Sequence, residues 1–256
     1  MATSDSIFQG SVVVWQPNKN EGYRFNVDSL LLAGFALRSI PPDVTLIELG
    51  SGSAVIGLAM MHHAPQMVYC GIERQKSMVE LARRSIEDGE FQSRASVEER
   101  DLRDLSGAKE PADVVLFNPP YFKAGSGRSS PNQGRREARE ALFGDLDAFL
   151  GAASQLVRSN GLVFAVIRPE RRKETVALAS RVGLVAEEIC EVKSHREGKH
   201  QLDLYRWVKS AEEQGTQITQ LYLHAEKGSR SYQALVESFL RGESSFIPSE
   251  AFSTQA

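Results

Sequence analysis

Short apolar segments alternate with amphipathic segments along most of the chain. Five apolar segments predict strands at 45–49, 68–72, 95–100, 113–118 and 161–167. Between and after them, apolar residues recur at helical spacing and predict helices at 54–62, 77–87, 146–157 and 171–182. This alternation is typical of a parallel sheet with helices on both faces.

The two ends of the chain depart from this alternation. Before it, a strand is predicted at 11–15 and a helix at 27–38, which Pro41 and Pro42 end because proline cannot continue a helix. After it, strands at 187–192 and 202–208 are joined by a polar loop without a helix, which predicts an antiparallel hairpin. An edge strand at 219–224 and a helix at 231–240 follow, and we expect the Ser-rich tail after Gly242 to fray.

These elements predict an α/β fold of the Rossmann-like kind. We expect a mostly parallel sheet of seven strands that ends in the hairpin, with helices on both faces. The predicted division has three parts, which are an N-terminal extension at 1–40, a main domain at 41–242 and a flexible tail at 243–256.

A glycine turn follows the first strand of the alternating region. Residues 46–54 read LIELGSGSA, so Glu48 ends the strand and Gly50 and Gly52 form the turn. Glycines there let a ligand approach the backbone closely. A carboxylate at Glu48 would repel phosphate and suits a cationic or zwitterionic ligand, such as the methionine part of S-adenosylmethionine. A turn that merely joins strand to helix is the alternative.

Two further acidic residues follow the next two strands. Glu73 ends the second strand about 20 residues after the glycines, where an acid commonly binds both ribose hydroxyls. Asp101 ends the third strand and could accept a hydrogen bond from an adenine amine. The alternatives are that Glu73 only favours a helix start and that Asp101 caps a helix.

The fourth strand stops abruptly at Asn118-Pro119-Pro120-Tyr121. Two prolines remove two backbone donors, so the Asn118 side-chain oxygen and the Pro119 carbonyl leave the corner rich in acceptors. Acceptors placed on the N–H bonds of a planar amine stabilise the positive charge that develops when its nitrogen is alkylated. Tyr121 could stack on the planar target. The alternative is a strand-ending turn with a packed tyrosine.

In this order, these residues resemble the motifs of class I amino-methyltransferases. The segment from Tyr23 to Leu32, the Asn118–Phe122 motif, the arginines ending at Arg139 and the late Ser231-Tyr232 pair extend the resemblance over about residues 20–240. They are similar to the bacterial family of tRNA adenine-N6-methyltransferases that act on adenine 37 of valine tRNA. The resemblance implies S-adenosylmethionine as cofactor, tRNA as partner and an extension that packs over the cofactor site.

The resemblance also implies roles for individual residues. The predicted cofactor-binding residues are Phe25, Asp28, Glu48, Gly50, Gly52, Glu73, Arg74, Asp101, Leu102 and Asn118, and the predicted catalytic residues are Asn118, Pro119, Pro120 and Tyr121. One departure is Ala54, which stands where the family's glycine loop usually carries a third glycine. We expect alanine to be tolerated there if that residue already belongs to the helix.

Charge adds a candidate RNA-binding segment. The net charge is −3, which does not by itself indicate a polyanion partner. Residues 123–139, however, carry one acidic residue, Glu137, among the basic residues Lys123, Arg128, Arg135, Arg136 and Arg139. This segment follows the Asn118 corner directly, so we expect it to bind phosphates around a flipped-out nucleotide. A solvated surface loop is the alternative.

Two other functions would use the same corner or the same fold. A glutamine N5-methyltransferase also alkylates a nitrogen whose lone pair is delocalised, so it would use the same corner. Those enzymes usually carry a helical domain ahead of the glycine loop, whereas 47 residues precede Glu48 here. A non-catalytic RNA-binding module is disfavoured because Asn118 and the cofactor acids are intact.

Composition favours the cytoplasm as location. Two distant cysteines, Cys70 and Cys190, fit a reduced compartment. We expect no membrane span, since no apolar run reaches about 20 residues, and no metal site, because no Cys/His spacing suggests one. The family suggests a monomer or a weak homodimer.

Overall fold

The computed structural model describes residues 2–18, 24–105, 111–120, 146–210 and 215–254. Its strands in chain order are β1 Ala2–Ile7, β2 Val12–Pro17, β3 Thr45–Leu49, β4 Val68–Glu73, β5 Ala95–Glu99, β6 Ala112–Phe117, β7 Val157–Ile167, β8 Leu184–Lys193, β9 His200–Lys209, β10 Gln217–Tyr222 and β11 Phe252–Thr254. Its helices are α1 Val27–Leu37, α2 Val55–His63, α3 Lys76–Asp88, α4 over 146–156, α5 Arg172–Arg181 and α6 Ala234–Leu240.

Nine of the described strands form one sheet in the order β11-β10-β8-β9-β7-β6-β3-β4-β5. Strands β3 to β7 are parallel, and β9 runs antiparallel to both β7 and β8. This confirms the Rossmann-like class and the hairpin. The sheet is wider than the seven strands predicted, because β10 adds parallel to β8 and β11 adds antiparallel to β10.

Helices cover both faces because successive strand residues point to opposite sides. In β3, Leu46 belongs to the core under α1, α2 and α3, whereas Ile47 belongs to the core under α4 and α5. In β6, Leu116 and Phe117 divide in the same way. The apolar runs read from the sequence are therefore strands that are buried on both faces.

A hairpin of β1 and β2 precedes the main sheet and was predicted only in its second strand. The sequence of β1, ATSDSI, is mostly polar, because that strand is half exposed and gains its stability from pairing with β2. The hairpin packs on α3, where the Trp15 backbone N–H donates to Ser85 Oγ over 2.8 Å. Its apolar residues join the core of α1 and α2, and the boundary at residue 40 stays a prediction.

The segment after Gly242, which we expect to fray, packs onto the core in its described residues up to 254. Ile247 is fully buried, its N–H donates to the Gly34 carbonyl over 3.2 Å, and Phe252 begins β11. A Cβ on Gly34 would lie 2.6 Å from Ile247 Cγ1, so the missing side chain in α1 makes the recess that Ile247 fills. Isolated apolar residues in a polar segment give no local pattern that reveals such a recess.

None of the described helices is both long and apolar enough to cross a membrane.

We predict that Ile247→Ala destabilises the protein by about 2–4 kcal/mol, because it empties a filled recess in the core. The matched control is Phe246→Ala, since Phe246 is 40% exposed and should change the free energy of unfolding little. Urea unfolding measures both variants. Equal, small effects would mean that the tail is attached only loosely.

Candidate active site

A cavity of about 480 Å³ opens at the carboxyl ends of β3, β4 and β6. Strand pairing explains why the predicted residues meet there. Leu49 pairs with Phe117 and with Ile72, so Gly50 leaves the sheet between Asn118 on one side and Glu73 on the other. Chain connections diverge to the two sides of β3, and such a crevice is where open α/β sheets bind ligands.

Glycine is required in the turn after β3 by its backbone angles. Gly50 and Gly52 have φ of +63° and +53°, a region that other residues rarely adopt. The N–H groups of Gly50 and Ser51 donate to the Ile72 carbonyl over 2.8 and 3.1 Å. A Cβ on Gly50 would lie 3.0 Å from the Phe149 ring. The turn is thus fixed to β4 and closely packed underneath.

Ala54 does not belong to the helix, although we expect alanine to be tolerated at this position only if it does. It precedes α2 as the N-cap residue, with φ of +64°, so the position of the missing third glycine is left-handed in this chain as well. An alanine there carries steric strain that glycine would not. Its methyl group is buried in the core of α1 and α2, and that contact offsets part of the strain.

Glu48 lines the cavity but is not the simple negative charge that the sequence suggested. Its Oε2 accepts hydrogen bonds from the Tyr69 hydroxyl over 2.9 Å and from the Gly57 N–H over 3.0 Å. Burial raises its pKa to about 8 and outweighs both hydrogen bonds. A pKa of about 8 favours the protonated form of Glu48 at neutral pH, and a cation bound beside it would favour the ionised form.

Glu73 joins the two loops that border the cavity. Its Oε2 accepts from the Gly52 N–H over 3.0 Å, and its Oε1 accepts from the Gln75 N–H over 2.8 Å. Each carboxylate oxygen can accept more than one hydrogen bond. The carboxylate therefore stiffens the site and can still bind hydroxyl groups.

Asp101 forms a local turn, since its Oδ1 accepts from the Arg103 N–H over 2.9 Å. No helix begins there among the described residues, so the alternative of a helix cap is not what the structure has.

Asn118 forms a side-chain contact that the sequence did not reveal. Its Nδ2 donates to Ser29 Oγ over 3.1 Å, and Ser29 is 2% exposed at the start of α1. The Asn118 Oδ1 is buried and has no hydrogen-bond partner among the residues described. An unpaired buried acceptor is costly, which makes this oxygen a place where a ligand donor would bind.

Most of the predicted site residues that are described line this one cavity, namely Phe25, Glu48, Gly50, Gly52, Glu73, Arg74, Asp101, Leu102, Asn118 and Pro120. Pro119 is buried beside them without lining it. The remaining predicted residues lie outside the described part of the chain; they are Tyr121, Lys123, Arg128, Arg135, Arg136 and Arg139.

Asp28 is buried and is not among the residues that line the cavity, so its assignment to the cofactor site stays a prediction. Consecutive residues of a helix point about 100° apart, so Asp28 and the cavity-lining Ser29 leave α1 in different directions. Burial raises the pKa of Asp28, and the nearby Arg168 opposes that shift.

Sequence reasoning missed several residues of the cavity wall. Ser29 lay inside a motif but had no role assigned, and Phe149 of α4 comes from a distant segment. The other missed residues are Pro17, Ser51, Ser53, Val55, Ile56, Ile72, Gln75, Ser77, Met78, Arg100, Arg103 and Ala148. Within the described residues, no group of His, Cys, Asp or Glu side chains could hold a metal ion.

Comparison with known proteins gives a match to a family described as a methyltransferase domain, over residues 40–222. A protein of Porphyromonas gingivalis strain W83 named tRNA1(Val) (adenine(37)-N6)-methyltransferase is 27% identical over 228 residues, covering 84% of this chain and 88% of that protein. A protein of Photobacterium profundum with the same name is 25% identical, covering 68% and 72%.

Solved structures show the same fold. A predicted O-methyltransferase from Agrobacterium tumefaciens has a TM-score of 0.68 at 22% identity, covering 87% of this chain and 99% of that chain. A 16S rRNA N2 G1207 methyltransferase of T. thermophilus, solved in complex with AdoMet and guanosine, has a TM-score of 0.56 at 17% identity, covering 82% and 50%.

The raised pKa of Glu48 makes a prediction about stability. The pKa of Glu48 is higher in the folded protein than in the unfolded chain, so protonation of this carboxyl favours the folded state. Its contribution to the free energy of unfolding is complete at low pH and is lost as the pH rises through about 8. Glu48→Gln keeps a neutral acceptor for Tyr69 and Gly57. We therefore expect its Tm, relative to the unmodified protein, to rise by several degrees between about pH 5 and pH 9.

Thermal unfolding across this range measures the effect. Glu250→Gln, which removes an exposed acid away from the cavity, controls for the loss of one potential negative charge. A difference in Tm that stays constant from low to high pH would show that Glu48 is already ionised in the free protein.

Proposed function

The chain belongs to the methyltransferase domain family and uses S-adenosylmethionine as its methyl donor, and we propose that it methylates the N6 amine of an adenine in tRNA. The observation that carries the proposal is that the glycine turn and the Asn118 corner border one cavity. A methyl donor and an amine acceptor can therefore lie side by side. A corner sealed from the glycine turn would have argued against this chemistry.

The residues of the cavity fit a cationic nucleoside. Gly50 and Gly52 present backbone to the cavity, Glu73 has capacity for the ribose hydroxyls, and Asp101 can accept from the adenine amine. Glu48 would balance a positive charge once it loses its proton. We assign Phe25, Arg74 and Leu102 to the walls of the same site, and Pro17 and Phe25 bring the N-terminal segment over it.

The cofactor supplies an electrophilic methyl group on a positively charged sulfur. Asn118 Oδ1 and the Pro119 carbonyl would accept hydrogen bonds from the two N–H groups of the adenine amine. These acceptors stabilise the positive charge that builds on nitrogen as it becomes tetrahedral. The cationic product then loses a proton to solvent readily, so the chain needs no dedicated base.

Adenine in tRNA is the substrate class that the relatives' names favour. The proteins of Porphyromonas gingivalis and Photobacterium profundum are named for N6 methylation of adenine 37 in tRNA1(Val). The matches span most of this chain and most of those proteins. We extend the proposal to that nucleotide on this ground.

A basic surface lies along the same edge of the sheet as the cavity. β8 and β10 are parallel to β7, so the carboxyl ends of all three strands lie at the same end of the sheet as the cavity. Three strand spacings, about 15 Å, separate β8 from β6. Backbone hydrogen bonds join the turn after β8 to the segment after β10, from Leu223 N to Lys193 O and from His224 N to Ser194 O. The exposed cations of this surface are Arg196, Lys199, Lys227 and Arg230, and they outnumber its exposed acids, Glu197 and Glu226.

An aromatic pair lies on the way from the catalytic corner to this basic surface. The His224 and Tyr232 rings stack with centroids 5.1 Å apart, and burial and the nearby Asp28 both raise the pKa of Tyr232. Asp28 adjoins Ser29, which contacts Asn118. Cations beside half-buried aromatic rings suit an RNA strand that runs from the flipped adenine across β7 and β9.

We predict that Asn118→Ala lowers methyl transfer by about 10²–10³-fold or more, because it removes an acceptor of the transition state. Binding of S-adenosylmethionine, measured by calorimetry, should change little. Turnover close to that of the unmodified enzyme would refute the assigned role of Asn118.

The substrate is tested with total tRNA from a strain that lacks the gene. The tRNA is incubated with enzyme and labelled cofactor, and the methylated base is mapped. Label on N6 of adenine 37 in valine tRNA is expected. Unlabelled tRNA together with labelled glutamine in a protein extract would overturn the proposal in favour of an amide substrate.

We predict that replacing Arg196 and Lys199 together with Gln weakens tRNA binding and lowers the slope of log affinity against log salt by about one unit per cation. The control is Arg181→Gln, which removes an exposed cation at the end of α5, on the opposite edge of the sheet. Fluorescence anisotropy at several salt concentrations measures both. A slope equal to that of the unmodified protein would exclude this surface from the RNA site.

A further inference from the structure

The Asn118 side-chain amide has a donor, Nδ2, that needs an acceptor and an acceptor, Oδ1, that needs a donor. Its Nδ2 donates to Ser29 Oγ over 3.1 Å, and its Oδ1 is buried without a partner among the described residues. The two atoms lie on opposite sides of a planar group. When Nδ2 is held by Ser29, Oδ1 therefore points away from α1 and stays available to a donor.

A substrate amine needs this arrangement and not its reverse. The N–H group of the substrate amine must donate to Asn118 Oδ1. Asn118 Nδ2 then lies on the opposite side of the amide and needs an acceptor there. Ser29 Oγ supplies that acceptor. Without it, binding the amine would leave a buried N–H group unpaired, and rotating the amide to relieve that would place two donors against each other.

We propose that Ser29 is a positioning residue, which holds the Asn118 amide with its oxygen toward the reacting nitrogen. This inference rests on the proposed function, since it gives the amide oxygen the role of accepting from a substrate amine. Ser29 acts through Asn118 and need not touch the methyl group.

The surroundings of Ser29 fix the backbone that carries its hydroxyl. Ser29 lies in the first turn of α1, where Asn26 caps the helix by accepting from the Asp28 N–H over 3.1 Å. Just before the cap, the Phe25 N–H donates to the buried Gln16 Oε1 over 2.9 Å. The hairpin thus anchors the start of α1, and α1 anchors the hydroxyl.

This anchoring continues at the open end of the hairpin. Arg24 donates to the Pro17 carbonyl over 2.6 Å and to Thr3 Oγ1 over 2.9 Å, and it pairs with Asp5. Asp5 also accepts from Gln16 over 2.5 Å. The N-terminal hairpin, although it lies outside the parallel sheet, therefore supports the start of the helix that carries Ser29.

The test compares Ser29→Ala with Ser29→Thr, which retains the hydroxyl. With unmodified tRNA and saturating cofactor, we expect Ser29→Ala to lower kcat by about 10- to 100-fold. The Kd for S-adenosylmethionine and the Tm should change little, and Ser29→Thr should recover kcat to within about threefold. A general packing defect would instead lower Tm and cofactor affinity together with kcat.

A double-mutant cycle isolates orientation from other effects. Asn118→Asp replaces the amide by a group with two equivalent acceptors, which has no wrong orientation. In that background, removing the Ser29 hydroxyl should cost less than about threefold in kcat. An equal loss of kcat in both backgrounds would overturn the proposal, as would full activity of Ser29→Ala.

Hydrogen exchange separates this proposal from the proposed function. In ¹⁵N-labelled protein without RNA, the Asn118 side-chain amide protons should exchange slowly and should accelerate by about tenfold in Ser29→Ala. If the unmodified enzyme methylates no adenine in tRNA while this acceleration is seen, the proposed function fails and the hold on Asn118 stands. If exchange is equally fast in both proteins, the hold on Asn118 is refuted.

Discussion

The site depends on the attachment of one turn to the neighbouring strand. Two N–H groups, from Gly50 and Ser51, share the Ile72 carbonyl, and the Gly52 N–H binds the Glu73 carboxylate. These contacts hold the backbone after β3 in left-handed conformations, which glycine adopts without steric cost. Because β6 is the other neighbour of β3, the same turn faces Asn118. The cavity is the space that this fixed backbone leaves open.

Two polar groups of the cavity wall, the Glu48 carboxyl and the Asn118 oxygen, lack in the described part of the chain partners that a bound ligand could supply. Glu48 keeps its proton because burial opposes its charge, and the Asn118 oxygen lacks a donor among the described residues. Both conditions cost stability in the free protein, and a cation beside one group and an amine against the other would relieve them. The folded chain is thus prepared for two ligands of different chemistry in one cavity.

Segments outside the parallel sheet complete the site. The N-terminal hairpin and α1 bring Pro17, Phe25 and Ser29 to one wall, and α4 brings Phe149 beneath the glycine turn. The segment after α6 fills the recess that Gly34 leaves in α1 and so supports that helix from behind. At the same edge, the turn after β8 adds the cations that we assign to RNA.

The sequence by itself determined the fold class, the succession of strands and helices along the chain and the motif positions, because buried strands and glycine or proline turns leave strong local patterns. Since parallel strands end at one edge, it also placed Gly50, Glu73, Asp101 and Asn118 together. Only the tertiary structure decided the raised pKa of Glu48, the contact from Ser29 to Asn118 and the burial of Ile247. Each of these depends on a partner distant in the chain, and local periodicity carries no information about such a partner.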